Sequence, residues 1–535
     1  MACGVGLVLA AHAPGALAAP KEGGSMTVAY QSDVTTLDPA IGYDWQNWPM
    51  MRVLFSRLMG YKAGTTDLTT DAAQSYTVSP DGKTYVFKLR PGLKFTSGNP
   101  VNAEAVKFSL DRVIDPATAS PGQGFYHSIK GYDAVVAGKA KEASGIVVVD
   151  PLTIKFELTQ PDATFLQVLA MNFADIVDPA SVQKWGKDVA RHPVGSGPFM
   201  LKEWVPGQKL IFVRNPGYFV KGLPYLNQIV FEVGQDPLVA LLRLERGEVD
   251  LLGDGVPPAK FLEVTQNPKW KSQIIVGHPL GTSYVSLNTQ MKPFDDLRVR
   301  QAVNMAINKA LIVRLINGRG QPTNQVLPPG MPGYDKAYKG LAYDPKKAKA
   351  LLAEAGYPNG FSTELYVYNT DPNPRIAQAI QAQLAQIGIK VELRSQGQAQ
   401  VIAAGGTPKT APMIWSGGMA WVDDFPDPSD FYGPILGCGS AVKGGWNWSW
   451  YCNKDTDAMA AKADAMVRPG ETKQRLALWQ EIYRKVMADS PWIPVFNETQ
   501  YTMHSKRIGA DPKNAFADPG VFPFNYAHIY ATDVK

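Results

Sequence analysis

Three features of the sequence predict an α/β fold built from more than one globular unit. With 535 residues and 45% hydrophobic content, the chain exceeds the roughly 250–300 residues at which a single core stops growing. Strand-like alternation at Tyr85, Phe87 and Leu89 gives way to one-faced helical spacing at Val106, Leu110 and Val113. The exchange recurs later, where a helical stretch over 375–388 turns into alternation at Ile389, Val391 and Leu393, the pattern of an α/β lobe.

Taken in chain order, residues 4–19 form a short apolar stretch that passes through Ala16-Leu17-Ala18, the small-x-small pattern cut by signal peptidase. A signal peptide over 1–18, cut near Ala18, is expected, although no Lys or Arg precedes the run; a buried N-terminal helix is the alternative, opposed by Pro14 and Gly15. Cys3 lacks the small-residue lipobox of a lipid-anchored protein. Met26–Tyr30 reads as an opening strand, Thr36–Ala40 as a loop, and Leu54-Phe55 with Leu58-Met59 as helical spacing. Asp81-Gly82 is a two-residue turn signal, and Asn102 is placed to cap a helix. Ile154, Phe156 and Leu158 alternate as a second hairpin strand, and a strand, a turn at Pro206-Gly207 and another strand follow. Leu238–Leu252 reads as a helix. Leu297 to Leu311 repeats apolar residues at three and four, giving one face on a helix begun by Asp295 or Asp296. Asp344-Pro345 opens a further helix that Gly356 can close.

Composition narrows the function. The 53 basic residues exceed the 48 acidic ones by only 5, and no dense Lys/Arg block appears, so a nucleic-acid partner is not expected. No later segment reaches the ~20 apolar residues of a membrane span. The six histidines are scattered without a His-Glu-x-x-His, Gly195-Ser196-Gly197 lacks the glycine of a nucleophile elbow, and Gly253-Asp254-Gly255 cannot complete a dinucleotide fingerprint. No catalytic residue, metal site or cofactor is expected. A secreted glycoside hydrolase remains a distant alternative, without a spacing that selects its two carboxylates. In an exported chain the isolated pair Cys438 and Cys452 reads as a disulfide rather than a metal site.

Two loops suit a ligand. In the first, Gly42 to Trp48, Tyr43, Asp44 and Trp45 gather aromatics around an acid; packing between domains by Trp45 or Trp48 is the alternative role. In the second, Trp415 to Asp424, the small residues around Gly417 and Met419 let a ligand approach, Trp421 offers a flat wall, the acids offer an anchor, and Trp415 is a further candidate lining residue. A helix cap or solvated loop acid is the alternative role for Asp424 and the favoured one for Asp423.

The run VSPDGKTYVFKLRPGLKFTSGNPVNAEAVKFSLDR at Val78–Arg112 resembles the signature segment of bacterial extracellular solute-binding proteins of family 5, the peptide and nickel receptors of ABC importers. GSGPFMLKEWVPGQKLIFVRNPGYF at Gly195–Phe219, PFDDLRVRQAVNMAINK at Pro293–Lys309, YDPKKAKALLAEAGYPNGF at Tyr343–Phe361 and the cysteine pair carry the same resemblance. It implies a two-lobed periplasmic binding protein fold of the cluster C type. Lobe I would take 26–75, 190–285 and 500–535, an inserted domain 76–189, and lobe II 286–499. It further implies a monomeric periplasmic receptor that closes on a small polar ligand and delivers it to the permease membrane subunits and their ATPases. In peptide-binding members a Trp-x-x-Asp here pairs with the ligand's ammonium, and Trp421-Val422-Asp423-Asp424 matches it with Asp424 as anchor. The dipeptide receptors' carboxylate-binding arginine has no counterpart in LYVYN at Leu365–Asn369. A peptide or similar amine-bearing ligand is therefore expected, with an opine, metal chelate or oligosaccharide as alternatives, and signalling without import also stays open.

Overall fold

A computed structural model of the chain describes residues 20–44, 46–417, 421–468, 470–510 and 524–534; the expected leader, with its cleavage position at Ala18, lies outside them. The alternation and turn signals of the early chain become two sheets. In the first, Ser25–Ala29 pairs in parallel with Gln228–Glu232 and with Leu251–Leu252, and the antiparallel strands Lys209–Arg214 and Phe199–Val205 extend one edge. Between these strands in sequence lies an antiparallel four-stranded sheet, ordered Ala73–Val78, Thr84–Leu89, Thr153–Glu157, Ile146–Asp150.

The Asp81-Gly82 turn joins its first two strands, with Gly82 in the left-handed region at φ 70°, where a side chain would be strained. Tyr85, Phe87 and Leu89 face inward as their alternation requires. The helix Ala103–Ile114 lies behind them: Asn102 accepts a hydrogen bond from the Ala105 N–H at 2.9 Å, and Val106, Leu110 and Val113 are buried. The inserted sheet and the first sheet share one continuous apolar core.

The later chain forms a seven-stranded mixed sheet, ordered Gly320–Pro322, Trp492–Glu498, Gly281–Leu287, Met413–Trp415, Ser362–Tyr368, Lys390–Gln396, with Trp421–Val422 pairing beside Gly281 and Thr282. The helix Asn373–Ala385 connects the parallel strands Ser362–Tyr368 and Lys390–Gln396 and buries Ile376, Ala377, Ile380 and Leu384. The sheet carries an apolar core on each face, because Val285 and Leu287 point one way and Tyr284 the other. Between the two lobes the chain passes through Ile274–Gly277 and returns through Gln500–Met503, which pair as an antiparallel ribbon.

Three local expectations change in the structure. The helix expected over 238–252 is Pro237–Glu245; it ends ahead of Gly247, which sits in the left-handed region at φ 78°, and Leu251–Leu252 is a strand beside Ser25–Ala29. The helix Asn47–Leu54 stops before Phe55, since the Gly197 N–H takes the Leu54 carbonyl at 3.0 Å; Met59–Tyr61 is then a strand paired with Leu68–Thr70. The single apolar face over 297–311 is split into helices Leu297–Ala306 and Lys309–Leu315. Asn308 causes the break, because its side chain accepts from the Leu311 N–H at 3.0 Å and starts a new helix.

Cys438 and Cys452 form a disulfide across 14 residues. Closing a loop of this length contributes about 3 kcal/mol through lost chain entropy in the unfolded state. Thiol labelling of the oxidised protein is expected to find neither cysteine, and reduction to lower the melting temperature. Two readily labelled thiols under non-reducing conditions would contradict the bridge.

Candidate functional site

The segment after the central strands of the second lobe folds as a chain of short turns, and this brings its acids inward. Trp421–Val422 pairs with the first residues of the interior strand Gly281–Leu287, the Asp423 N–H donates to the Leu280 carbonyl at 3.0 Å, and the chain reaches a 3₁₀ turn at Pro428–Phe431 that Asp427 caps by accepting the Ser429 N–H. Asp423, Asp424 and Asp430 are 3%, 6% and 1% exposed. Asp423 is thus buried rather than a solvated loop acid.

Asp430 holds the segment together. Its Oδ2 accepts the Asp424 N–H at 3.0 Å and the Trp421 indole N–H at 3.2 Å. Asp424 Oδ1 accepts the Tyr43 hydroxyl at 2.6 Å, a bond that crosses from the first lobe to the second. Among the described residues Asp424 Oδ2 and Asp430 Oδ1 have no hydrogen-bond partner, and no basic side chain is among the groups that bear on either carboxyl. Burial is the first cause that raises both pKa values, that of Asp424 to about 7 and that of Asp430 well above the usual carboxylate range; the neighbouring acids raise Asp430 further. Tyr43 keeps 39% of its surface exposed, yet its hydroxyl sits at the desolvated end, where burial and then the Asp424 charge raise its pKa well above its ordinary value.

The wall around this cluster is aromatic. Tyr43 packs on Phe173 at 5.3 Å and on Trp48 at 5.8 Å. Phe125 of the inserted domain meets Phe425 of the second lobe edge-on at 6.2 Å, and Trp446, held in the disulfide loop, lies 6.4 Å from Trp421. The lobes also touch away from the acids: the Ala163 N–H donates to the Asp464 carbonyl at 2.8 Å, and a Cβ at Gly82 would collide with Val467.

Of the residues expected to line a ligand, Tyr43, Trp421 and Asp424 come together here. Trp415 does not. Its ring has no exposed surface, lies 5.8 Å from Phe496, and its N–H donates to Asn373 Oδ1 at 3.0 Å, so it belongs to the core of the second lobe. Gly417 is small because a Cβ there would run into that same indole ring. Asp44 is engaged by its own loop: one oxygen accepts the N–H groups of Gln46 and Asn47 and the other the Thr35 hydroxyl, which braces the entry to the helix Asn47–Leu54. Trp45 and Met419 lie outside the described residues. The sequence reasoning missed Asp430, Phe125, Phe173 and Trp446. For Asp430 the available signal was an acid six residues past Asp424 inside a Pro-initiated turn; the others carry none at short range.

The chain matches the family model of bacterial extracellular solute-binding proteins, family 5, over residues 67–443. It is similar to the glutathione-binding protein GsiB of Escherichia coli (strain K12), with 33% identity over 490 residues that cover 90% of this chain and 91% of that one. Among solved structures it resembles the periplasmic binding protein DppA from Helicobacter pylori in complex with the peptide STSA, at 29% identity and TM-score 0.79 over 96% of this chain and 98% of that one. It also resembles the Escherichia coli murein tripeptide binding protein MppA, at 25% identity and TM-score 0.77 over 96% and 99%. With the two-lobed fold and a desolvated acid cluster where the lobes meet, these likenesses identify the family: the chain belongs to the bacterial extracellular solute-binding proteins of family 5.

Proposed function

We propose that this protein is the exported, periplasmic receptor of an ABC importer, which encloses a peptide or similar amine-bearing ligand between its lobes and delivers it to the permease. The observation that carries the proposal is the Asp424–Asp430 pair: two buried carboxyls at the meeting of the lobes, each with an unpartnered oxygen and no basic neighbour among the described residues. A carboxylate taken out of water without a cation is costly, and a bound ammonium offsets that cost. Phe125, Phe173, Phe425 and Trp421 supply the apolar wall that excludes water from the contact.

The hinge is assigned to the ribbon of Ile274–Gly277 with Gln500–Met503. Contacts such as Tyr43 to Asp424 exist only when the lobes are together, so ligand affinity and closure draw on one free energy. The Helicobacter relative in complex with a peptide and the relatives named as glutathione-binding support an amine-bearing peptide, and glutathione, a tripeptide with a free α-amine, is the first ligand to test.

A thermal-shift series over glutathione, short peptides, opines, metal chelates and oligosaccharides is expected to raise the melting temperature for amine-bearing peptides. Small-angle scattering should show compaction on binding, and the ligand should be released chemically unchanged. A product formed in proportion to protein and time, or stabilisation by oligosaccharides alone, would overturn the proposal.

A further inference from the structure

Among the described residues Asp430 makes no hydrogen bond outside its own segment, yet it bonds to both residues of the motif before it. It is 1% exposed, its Oδ2 is saturated by the Trp421 and Asp424 N–H groups, and its Oδ1 is unpartnered among the described residues. The Asp424 N–H lies 3.0 Å from Asp430 Oδ2, which holds the two residues together in one buried turn. Two bare carboxylates so placed, with no basic group among the described residues that bear on them, would repel strongly, whereas a carboxyl and a carboxylate sharing one proton attract.

We infer that Asp430 acts as a neutral positioning residue, holding one proton and donating it in a hydrogen bond to Asp424, so that the Asp424–Asp430 pair carries a single negative charge toward the ligand's ammonium. This rests on the reading of Asp424 as the amine anchor. The charged and titratable groups around Asp430 agree with it. Asp423 and Asp424 lie beside it on its own segment, and Asp424 and then Asp423 raise its pKa, after burial. From the other elements the groups are phenols, Tyr43 of the first lobe and Tyr483 of the helix Thr472–Asp489, both pushed well above their ordinary values. Arg475, on that same helix, is committed to Asp427 and Asp464. With Asp430 neutral, Asp424 is the group that ionises, at a pH that burial raises above the usual carboxylate range. Lowering the pH below that value then protonates the anchor, and amine affinity falls by up to about tenfold per pH unit.

Two substitutions separate a neutral Asp430 from an ionised one. Asn has the shape of a protonated Asp, with an oxygen for the two N–H groups and an NH₂ that donates to Asp424; Ala has neither. Carboxyl ¹³C NMR titration of the ligand-free protein is expected to find Asp430 neutral at pH 7. The Asp424 midpoint should move to higher pH in Asp430→Ala and return toward the wild-type position in Asp430→Asn. In calorimetry with glutathione at pH 6–7.5, Asp430→Ala should lose about tenfold in affinity and Asp430→Asn recover most of it.

An ionised Asp430 at pH 7, or an Asp430→Asn variant as impaired as Asp430→Ala, would overturn the inference while leaving Asp424 as anchor. An Asp424→Asn variant with unchanged glutathione affinity would instead remove the anchor itself, and the inference with it. If Asp430→Ala does not fold, the wild-type and Asp430→Asn titrations decide, and glutathione that does not bind leaves the NMR arm intact.

Discussion

Replacing Asp424 by Asn is expected to weaken binding of an amine-bearing peptide by roughly 10- to 150-fold, the equivalent of about 1.5–3 kcal/mol for a charge-assisted hydrogen bond. The side chain is 6% exposed, accepts the Tyr43 hydroxyl at 2.6 Å and keeps its other oxygen without a partner among the described residues. Asn preserves that shape and removes the charge. Acetylating the ligand's amine should cost as much as the substitution, and amidating its carboxylate should cost less, because no basic residue stands at Leu365–Asn369. The neighbouring Asp423→Asn should change affinity far less, its backbone being tied to Leu280. Isothermal titration reads all four. A variant that binds like wild type, or a harmless acetylation, would move the anchor elsewhere.

Arg475→Met is expected to lower stability by about 3–5 kcal/mol, because removing one partner of a buried ion pair strands the other. Arg475 donates to both oxygens of Asp427 at 2.7 Å, to Asp464 Oδ1 at 3.2 Å and to the Ala463 carbonyl at 3.1 Å. Both members of the Arg475–Asp427 pair are nearly sealed from solvent. Asp464 already has its pKa raised to about 7, by burial first and then by the Asp427 charge, so without the guanidinium two acids face each other uncompensated.

The consequence reaches the ligand site. Asp427 caps the turn that presents Asp430, and the helix carrying Arg475 thereby fixes the turn's position. Chemical denaturation should show the loss in the midpoint, and the double variant Asp427→Leu with Arg475→Met should recover part of it, since one of the two stranded acids is then gone while Asp464 stays and the turn loses its cap. An Arg475→Met protein as stable as wild type would show that the pair contributes nothing net.

The sequence by itself determined the local units: the Asp81-Gly82 hairpin, the helices started by Asn102, Asp296 and Asp344, the alternating strands, the cysteine pair, and the Trp421-to-Asp424 motif. Each is written within a few residues, in a periodicity of two or 3.6 or in a cap whose side chain reaches only its own turn. Tertiary structure decided which of those residues meet. Trp415 and Trp421 stand six positions apart and look alike in sequence, yet one is sealed in the core under Phe496 and the other turns its indole to Asp430. Asp44 and Asp424 are both loop acids, but the first spends its oxygens on the N–H groups and hydroxyl of its own neighbourhood while the second accepts the hydroxyl of Tyr43, 381 residues away. Burial and unpaired charge depend on which elements close over a residue. That closure is a property of packing between distant segments, which short-range spacing does not encode.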